Sequence, residues 1–134
     1  MSVLIDSSVW ITGQSIKNRE CLLLKRMIKA RESIYVALPI QVEVCQGARG
    51  EMEFRKLWDA FLGFPFLELS QTIWHISAAN YFNCRKKGIT STTIACLIAT
   101  LAQHHRIPLW TLDKNIERTK SIIGFEVYQP KGLR

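Results

Sequence analysis

Apolar and polar positions alternate in blocks along the chain, and the blocks change period. Residues 3–5 form a short apolar run that reads as a buried strand and stops at a carboxylate, Asp6. Ser7 and Ser8 follow, residue types that suit a helix N-cap, and residues 9–13 read as a short helical turn. Residues 18–31 read as a helix, with Leu22, Leu23, Met27 and Ile28 recurring at helical spacing. Residues 34–38 read as a second strand, after which Pro39 opens a helix over 39–46 that carries Glu43. The stretch 51–62 is amphipathic, with Phe54, Leu57, Trp58 and Phe61 on one stripe. A third short strand is expected over 66–69, then a helix over 72–87 with Ile73, Ile76, Ala79 and Phe82 facing inward. Arg85, Lys86 and Lys87 close its last turn ahead of Gly88. A loop rich in serine and threonine leads into a helix over 94–105, with Leu97, Ile98 and Leu101 on its core face. Residues 108–112 read as a strand ending at Asp113, residues 114–122 as helix, and residues 125–128 as a last strand before a short basic tail.

Strands that alternate with helices imply an α/β fold, a mostly parallel central sheet flanked by helices. At 134 residues the chain is expected to be a single domain, 1–134, around one core. Right-handed crossovers put the carboxyl ends of parallel strands on one edge, so Asp6 and Asp113 should share it. The helix after Pro39 starts on that edge, with Glu43 one turn in. Taken alone, Asp6 reads equally as a helix cap, and Glu43 as a solvated helix acid. Taken together, three acids converge on one cleft. Clustered carboxylates repel one another unless a cation or a proton compensates. Hard oxygen ligands suit Mg²⁺ or Mn²⁺.

Composition narrows the setting. Hydrophobic residues make up 48% of the chain, which excludes a disordered protein. No apolar run approaches the roughly 18 residues of a membrane span, and Met1 leads into a strand with no basic leader. A cytoplasmic protein is therefore expected. Cys21, Cys45, Cys84 and Cys96 form no Cys-x-x-Cys pair and are expected to be free thiols. His75, His104 and His105 have no metal-ligand spacing, and the last two suit a helix C-terminus. The formal charge of +7 favours a polyanionic partner. With no dedicated aromatic strip in view, that attraction is expected to be mainly electrostatic.

Four pieces, in this order and spacing, resemble a PIN domain of the VapC type, the toxin of a bacterial type II toxin–antitoxin system. They are Leu4-Ile5-Asp6-Ser7-Ser8-Val9-Trp10-Ile11, then Gln41-Val42-Glu43-Val44, then Gly88-Ile89-Thr90 with Ile94-Ala95-Cys96-Leu97-Ile98-Ala99, and then Leu109-Trp110-Thr111-Leu112-Asp113. The resemblance covers nearly the whole chain. It implies a PIN-like fold and a metal-dependent endoribonuclease site of four acids. Asp6, Glu43 and Asp113 fall on three of them, as candidate ligands of Mg²⁺ or Mn²⁺. Ser7 and Thr111 match supporting hydroxyl residues, and Asn115 stands where members often carry another aspartate. The fourth acid is missing: Ala95 occupies its place, which implies weak or absent catalysis. Lys114, Arg118, Arg85, Lys86 and Lys87 are the candidate phosphate-holding residues, each equally readable as a solvated helix face. The resemblance further implies RNA as substrate, a cognate antitoxin covering the cleft, a homodimer and no membrane. Two other readings stay open: an inactive PIN-fold module that binds RNA or protein, and a phosphatase or DNA nuclease using the same carboxylates.

Overall fold

The strand that precedes Asp6, β1 (Ser2–Ile5), is the middle of the sheet. In the computed structural model, which describes residues 2–14 and 18–130, β1 pairs in parallel with β2 (Ser33–Tyr35) on one side and β3 (Leu109–Trp110) on the other. Because successive strand residues point to opposite faces, β1 serves two cores at once. Leu4 joins Leu109 and the buried face of the late helices. Val3 and Ile5 join Ile34 and Trp110 on the other side, against the early helices.

The early helices are α1 (Ser7–Gly13) and α2 (Arg19–Lys29). Asn18 caps α2 by accepting the Cys21 N–H at 2.8 Å. The side buried by α2 is Cys21, Leu23, Leu24 and Met27, whereas Leu22 and Ile28 are half-exposed. Leu23 and Met27 are buried as expected, and Cys21 and Leu24 take the places expected of Leu22 and Ile28. After β2, α3 (Leu38–Cys45) starts one residue earlier than Pro39, on a residue expected to end the strand. Buried Gln41 on α3 donates to the Trp58 carbonyl at 3.1 Å and fastens α4 (Glu51–Phe61) to it.

The late helices are α5 (Gln71–Lys86) and α6 (Thr93–His105), packed together against the Leu4 face. The expected inward row on α5 is overturned beyond its first member. Ile73 is buried, but Phe82 is exposed, and the inward positions are Ile73, Ser77 and Cys84. A step of three residues turns only about 300° on a helix. Three such steps carry Phe82 to the side opposite Ile73. α6 departs from expectation in the other direction: every residue from 95 to 102 is buried, so it is a central helix without a solvent stripe.

Two expected strands shrink to single bridges, Val36 with Phe66 and Leu109 with Val127, both parallel. The expected helix over 114–122 breaks into α7 (Lys114–Glu117) and α8 (Lys120–Ile123) around buried Thr119, whose hydroxyl donates to the Ile116 carbonyl at 2.7 Å. All four cysteines are free and buried. The basic tail, 131–134, lies outside the described residues. Among the described residues, no helix is long and apolar enough to cross a membrane.

Candidate active site

All three strands are parallel, so the chain leaves each of them on one edge. Asp6 follows β1, α3 follows β2, and the Thr111–Asp113 turn follows β3. Asp6 is 2% exposed. Its carboxylate is the N-cap of α1, accepting the Ser8 N–H at 3.3 Å on Oδ2. The same oxygen accepts the Ser8 hydroxyl at 2.6 Å and the Thr111 hydroxyl at 2.9 Å. Both hydroxyls are in turn acceptors, Ser8 Oγ from the Leu112 N–H at 2.9 Å and Thr111 Oγ1 from the Asp113 N–H at 3.0 Å. Each hydroxyl has one proton, and both protons go to Asp6. Oδ2 therefore accepts three hydrogen bonds and is saturated. Oδ1 keeps only a long approach of Ser7 Oγ at 3.5 Å.

Ser7 spends its proton on the next acid, donating to Glu43 Oε1 at 3.0 Å. Glu43 is half-buried, and that burial pushes its carboxyl upward. The Ser7 hydrogen bond offsets part of this, and the charges of Asp6 and Asp113 push it further up. Asp113 is the N-cap of α7, its Oδ1 accepting the Asn115 N–H at 2.8 Å. The three acids thus feel one another, and neither ion pair among the described residues involves any of them.

The remaining sequence candidates divide by position. The Asn115 carbonyl accepts the Ser91 hydroxyl at 2.9 Å, which ties α7 to the loop entering α6. Its side-chain oxygen accepts from the Arg118 guanidinium at 2.9 Å, so that side chain serves Arg118 rather than the acids. Lys114 leans on Glu117 at 3.4 Å in an exposed pair. Lys114 opens α7 directly after Asp113, and Arg118 is its C-cap. Arg85 and Lys86 end α5 and Lys87 caps it, and among the described residues no hydrogen bond or ion pair joins them to the acids. Ala95 lies in the first turn of α6, 2% exposed, its N–H donating to the Thr92 cap at 3.0 Å. Its methyl group offers nothing to a cation. Its neighbour Ile94 shares a groove wall with Glu43.

Ser8 is the functional position that sequence reading passed over. Both Asp6 and the serines could be read as the cap; Asp6 is the cap, and Ser8 clamps it. The available signal was a hydroxyl two residues after an aspartate at a strand end, the spacing of an Asx turn.

The donor set is all oxygen and all acidic, which is the chemistry of a hard divalent cation. Among the described residues, no three His, Cys, Asp or Glu side chains gather tightly enough to enclose a metal ion. Asp113 is turned toward its capping bond, and position 95 has no carboxylate. An enclosed cage is not what Mg²⁺ requires, since it keeps several waters and takes one or two carboxylates with substrate phosphates. The residues present fit an open site of that kind.

The sequence pattern of the PIN domain matches residues 3–122. The chain belongs to the PIN domain family. No curated protein matches it. Solved structures with this fold include VapBC2 from Rickettsia felis, bound to a DNA fragment from their promoter, at TM-score 0.74 and 15% identity over 96% of this chain and 98% of that one. A toxin–antitoxin complex from Klebsiella pneumoniae is similar at TM-score 0.70 and 22% identity, over 98% and 99%. VapC20 of Mycobacterium tuberculosis, a toxin that cleaves the sarcin–ricin loop, is similar at TM-score 0.71 and 11% identity, over 96% and 99%. At these identities the likeness is one of fold, and it bears out the expected PIN-like α/β domain.

Proposed function

We propose that this PIN domain is a VapC-type toxin, a metal-dependent endoribonuclease neutralised by a cognate antitoxin, and that Ala95 impairs its catalysis. The observation that carries the reading is the paired clamp on Asp6. The Ser8 hydroxyl on α1 and the Thr111 hydroxyl after β3 both donate to Oδ2, Oδ1 takes only the long Ser7 approach, and none of Asp6, Glu43 and Asp113 has an ion pair among the described residues. Such an arrangement holds negative charge in place for a cation.

Asp6, Glu43 and Asp113 are the residues that would hold Mg²⁺ or Mn²⁺. When bound, the ion supplies an activated water and neutralises charge on the scissile phosphate. Ser8 and Thr111 fix the orientation of Asp6, and Ser7 fixes that of Glu43. Lys114 and Arg118 hold flanking phosphates beside Asp113. Without an acid at position 95, one side of the site has no group to orient the attacking water.

The toxin–antitoxin structures sharing this fold support an antitoxin partner. Exposed apolar residues on α3, α4 and α5 are compatible with a homodimer. The Ala95 form also supports a second reading, a PIN-fold module that binds RNA or protein without cutting. The substrate class is tested by offering RNA, DNA and a phosphomonoester to the Ala95→Asp form in Mg²⁺ or Mn²⁺. Cleavage of RNA alone is the expected result. Hydrolysis of DNA or the monoester at comparable rates would replace the ribonuclease reading.

A further inference from the structure

Two of the four cysteines share one seam. Helices α5 and α6 are joined by the short loop around Gly88 and pack against each other as an antiparallel pair. Asn80 on α5 donates to the Thr100 hydroxyl on α6 at 2.9 Å, which fixes their register. One turn further toward the loop on each helix stand Cys84 and Cys96. The same register therefore sets them opposite one another. They are 1% and 0% exposed, they belong to one apolar cluster, and their thiols lie within hydrogen-bond reach of each other. Both are free, and the acid site uses neither. Cys21 and Cys45 stand on α2 and α3, away from this seam.

This end of the seam adjoins the acid edge. Cys96 follows Ala95 in the first turn of α6, the turn capped by Thr92. In the loop, Ser91 donates to the carbonyl of Asn115, two residues past Asp113, at 2.9 Å. Ile89 ties the loop down: its N–H donates to the Cys84 carbonyl at 2.8 Å, and its side chain packs on the cluster that holds both thiols. Burial pushes both thiols up, so neither rests as a thiolate and the closed fold resists oxidation. Local opening of the loop at exposed Gly88 is enough to admit a small oxidant, with the helices still formed.

We propose that Cys84 and Cys96 are a redox modification site, a dithiol that hydrogen peroxide converts into a reversible disulfide stapling α5 to α6 beside the acid edge. One sulfur attacks a peroxide oxygen, and the O–O bond breaks to leave a sulfenic acid and one water. The second sulfur then attacks the first, the S–S bond forms, and the sulfenic oxygen leaves as a second water. The two sulfurs give up two electrons, peroxide takes them, and both thiol protons end in water. A dithiol reductant reverses the link by exchange. The inference does not depend on the ribonuclease reading.

The test treats the reduced full chain with hydrogen peroxide, blocks the remaining thiols with N-ethylmaleimide in denaturant, and maps the peptides by mass spectrometry. The expected result is a Cys84–Cys96 link, alkylated Cys21 and Cys45, no oxygen left on any cysteine, and recovery of both thiols in dithiothreitol. The linked chain should melt about 5–10 °C above the reduced one, and the amides in the first turn of α6 should exchange hydrogen more slowly. Cys84→Ala should abolish the rise in melting temperature on peroxide treatment. Thiols that stay unlinked in the folded chain, a link through Cys21 or Cys45 or between two chains, or oxygen left on Cys84 or Cys96 in place of the link would overturn the proposal. So would a link that forms only in denaturant, or one that leaves the melting temperature unchanged or lower.

Discussion

Asp6 combines two roles that the sequence presents as alternatives. It caps α1 and it holds charge in the cleft, because its two oxygens are divided between the tasks. This predicts different outcomes for two substitutions. Asn is as good an N-cap as Asp, so Asp6→Asn should leave the melting temperature nearly unchanged while abolishing divalent-metal binding by calorimetry. Ser8→Ala removes the hydroxyl that bridges Asp6 to the Leu112 N–H, and should cost about 1–3 kcal/mol of stability, read by denaturant titration. The reverse ranking would mean that Asp6 is mainly a structural cap. Glu43 gives a pH signature. Its carboxyl sits above its ordinary value, chiefly through burial. Below the ordinary carboxylate range both folded and unfolded chains hold the proton, and stability is full. As pH rises through the window up to the raised folded value, the unfolded chain loses its proton first, and metal-free stability falls. Thermal melts across that window should show the decline, and Glu43→Gln should flatten it. These residues were legible in sequence because strand ends and carboxylates are local features. Ser8 was not, since its role depends on Thr111 and Leu112, about a hundred positions away.

At the scale of elements, the type of most segments could be read, but the buried side often could not. α2 and α5 show why. Their apolar residues exceed what the sheet covers, so periodicity alone allows neighbouring stripes, and packing chooses one. Phe82 and Leu22 look like core in the sequence and stand at the surface in the fold. The short strands over 66–69 and 125–128 were over-read for a related reason: bridges at Phe66 and Val127 need only one residue each. α6 carries the element-scale prediction. Ala95 is buried at its N-terminal turn, so Ala95→Asp places a carboxylate where burial disfavours it and the helix dipole favours it only in part. The metal-free Ala95→Asp form should therefore melt below the unsubstituted chain, and Mg²⁺ or Mn²⁺ should raise its melting temperature more than that of the Ala95 form. Scanning calorimetry with and without the ion checks this. Equal response of the two forms would mean that position 95 does not face the ion.

For the whole molecule, the convergence of Asp6, Glu43 and Asp113 was expected from one inference, that parallel strands share a carboxyl edge, whereas the strand order, with β1 in the middle, was not read from the sequence. That topological rule outlasts errors in individual boundaries, which is why the site was readable before the helix faces were. The distribution of the +7 charge was less readable, because Arg85 and Lys86 gain their setting only from Phe82 on the outer face of α5. If RNA is held electrostatically, the logarithm of its affinity should fall linearly with the logarithm of salt, by about 0.7 per phosphate neutralised. A flat response would contradict an electrostatic interface. The central claim is that an incomplete set of carboxylates at this edge is a metal-dependent ribonuclease site. Its most direct test is cleavage of total RNA by the Ala95 and Ala95→Asp proteins, side by side, in Mg²⁺ and in EDTA. The expected result is cleavage by the Asp form in Mg²⁺, weak or no cleavage by the Ala form, and none by either in EDTA. Equal cleavage by the two forms, or cleavage that persists in EDTA, would contradict it.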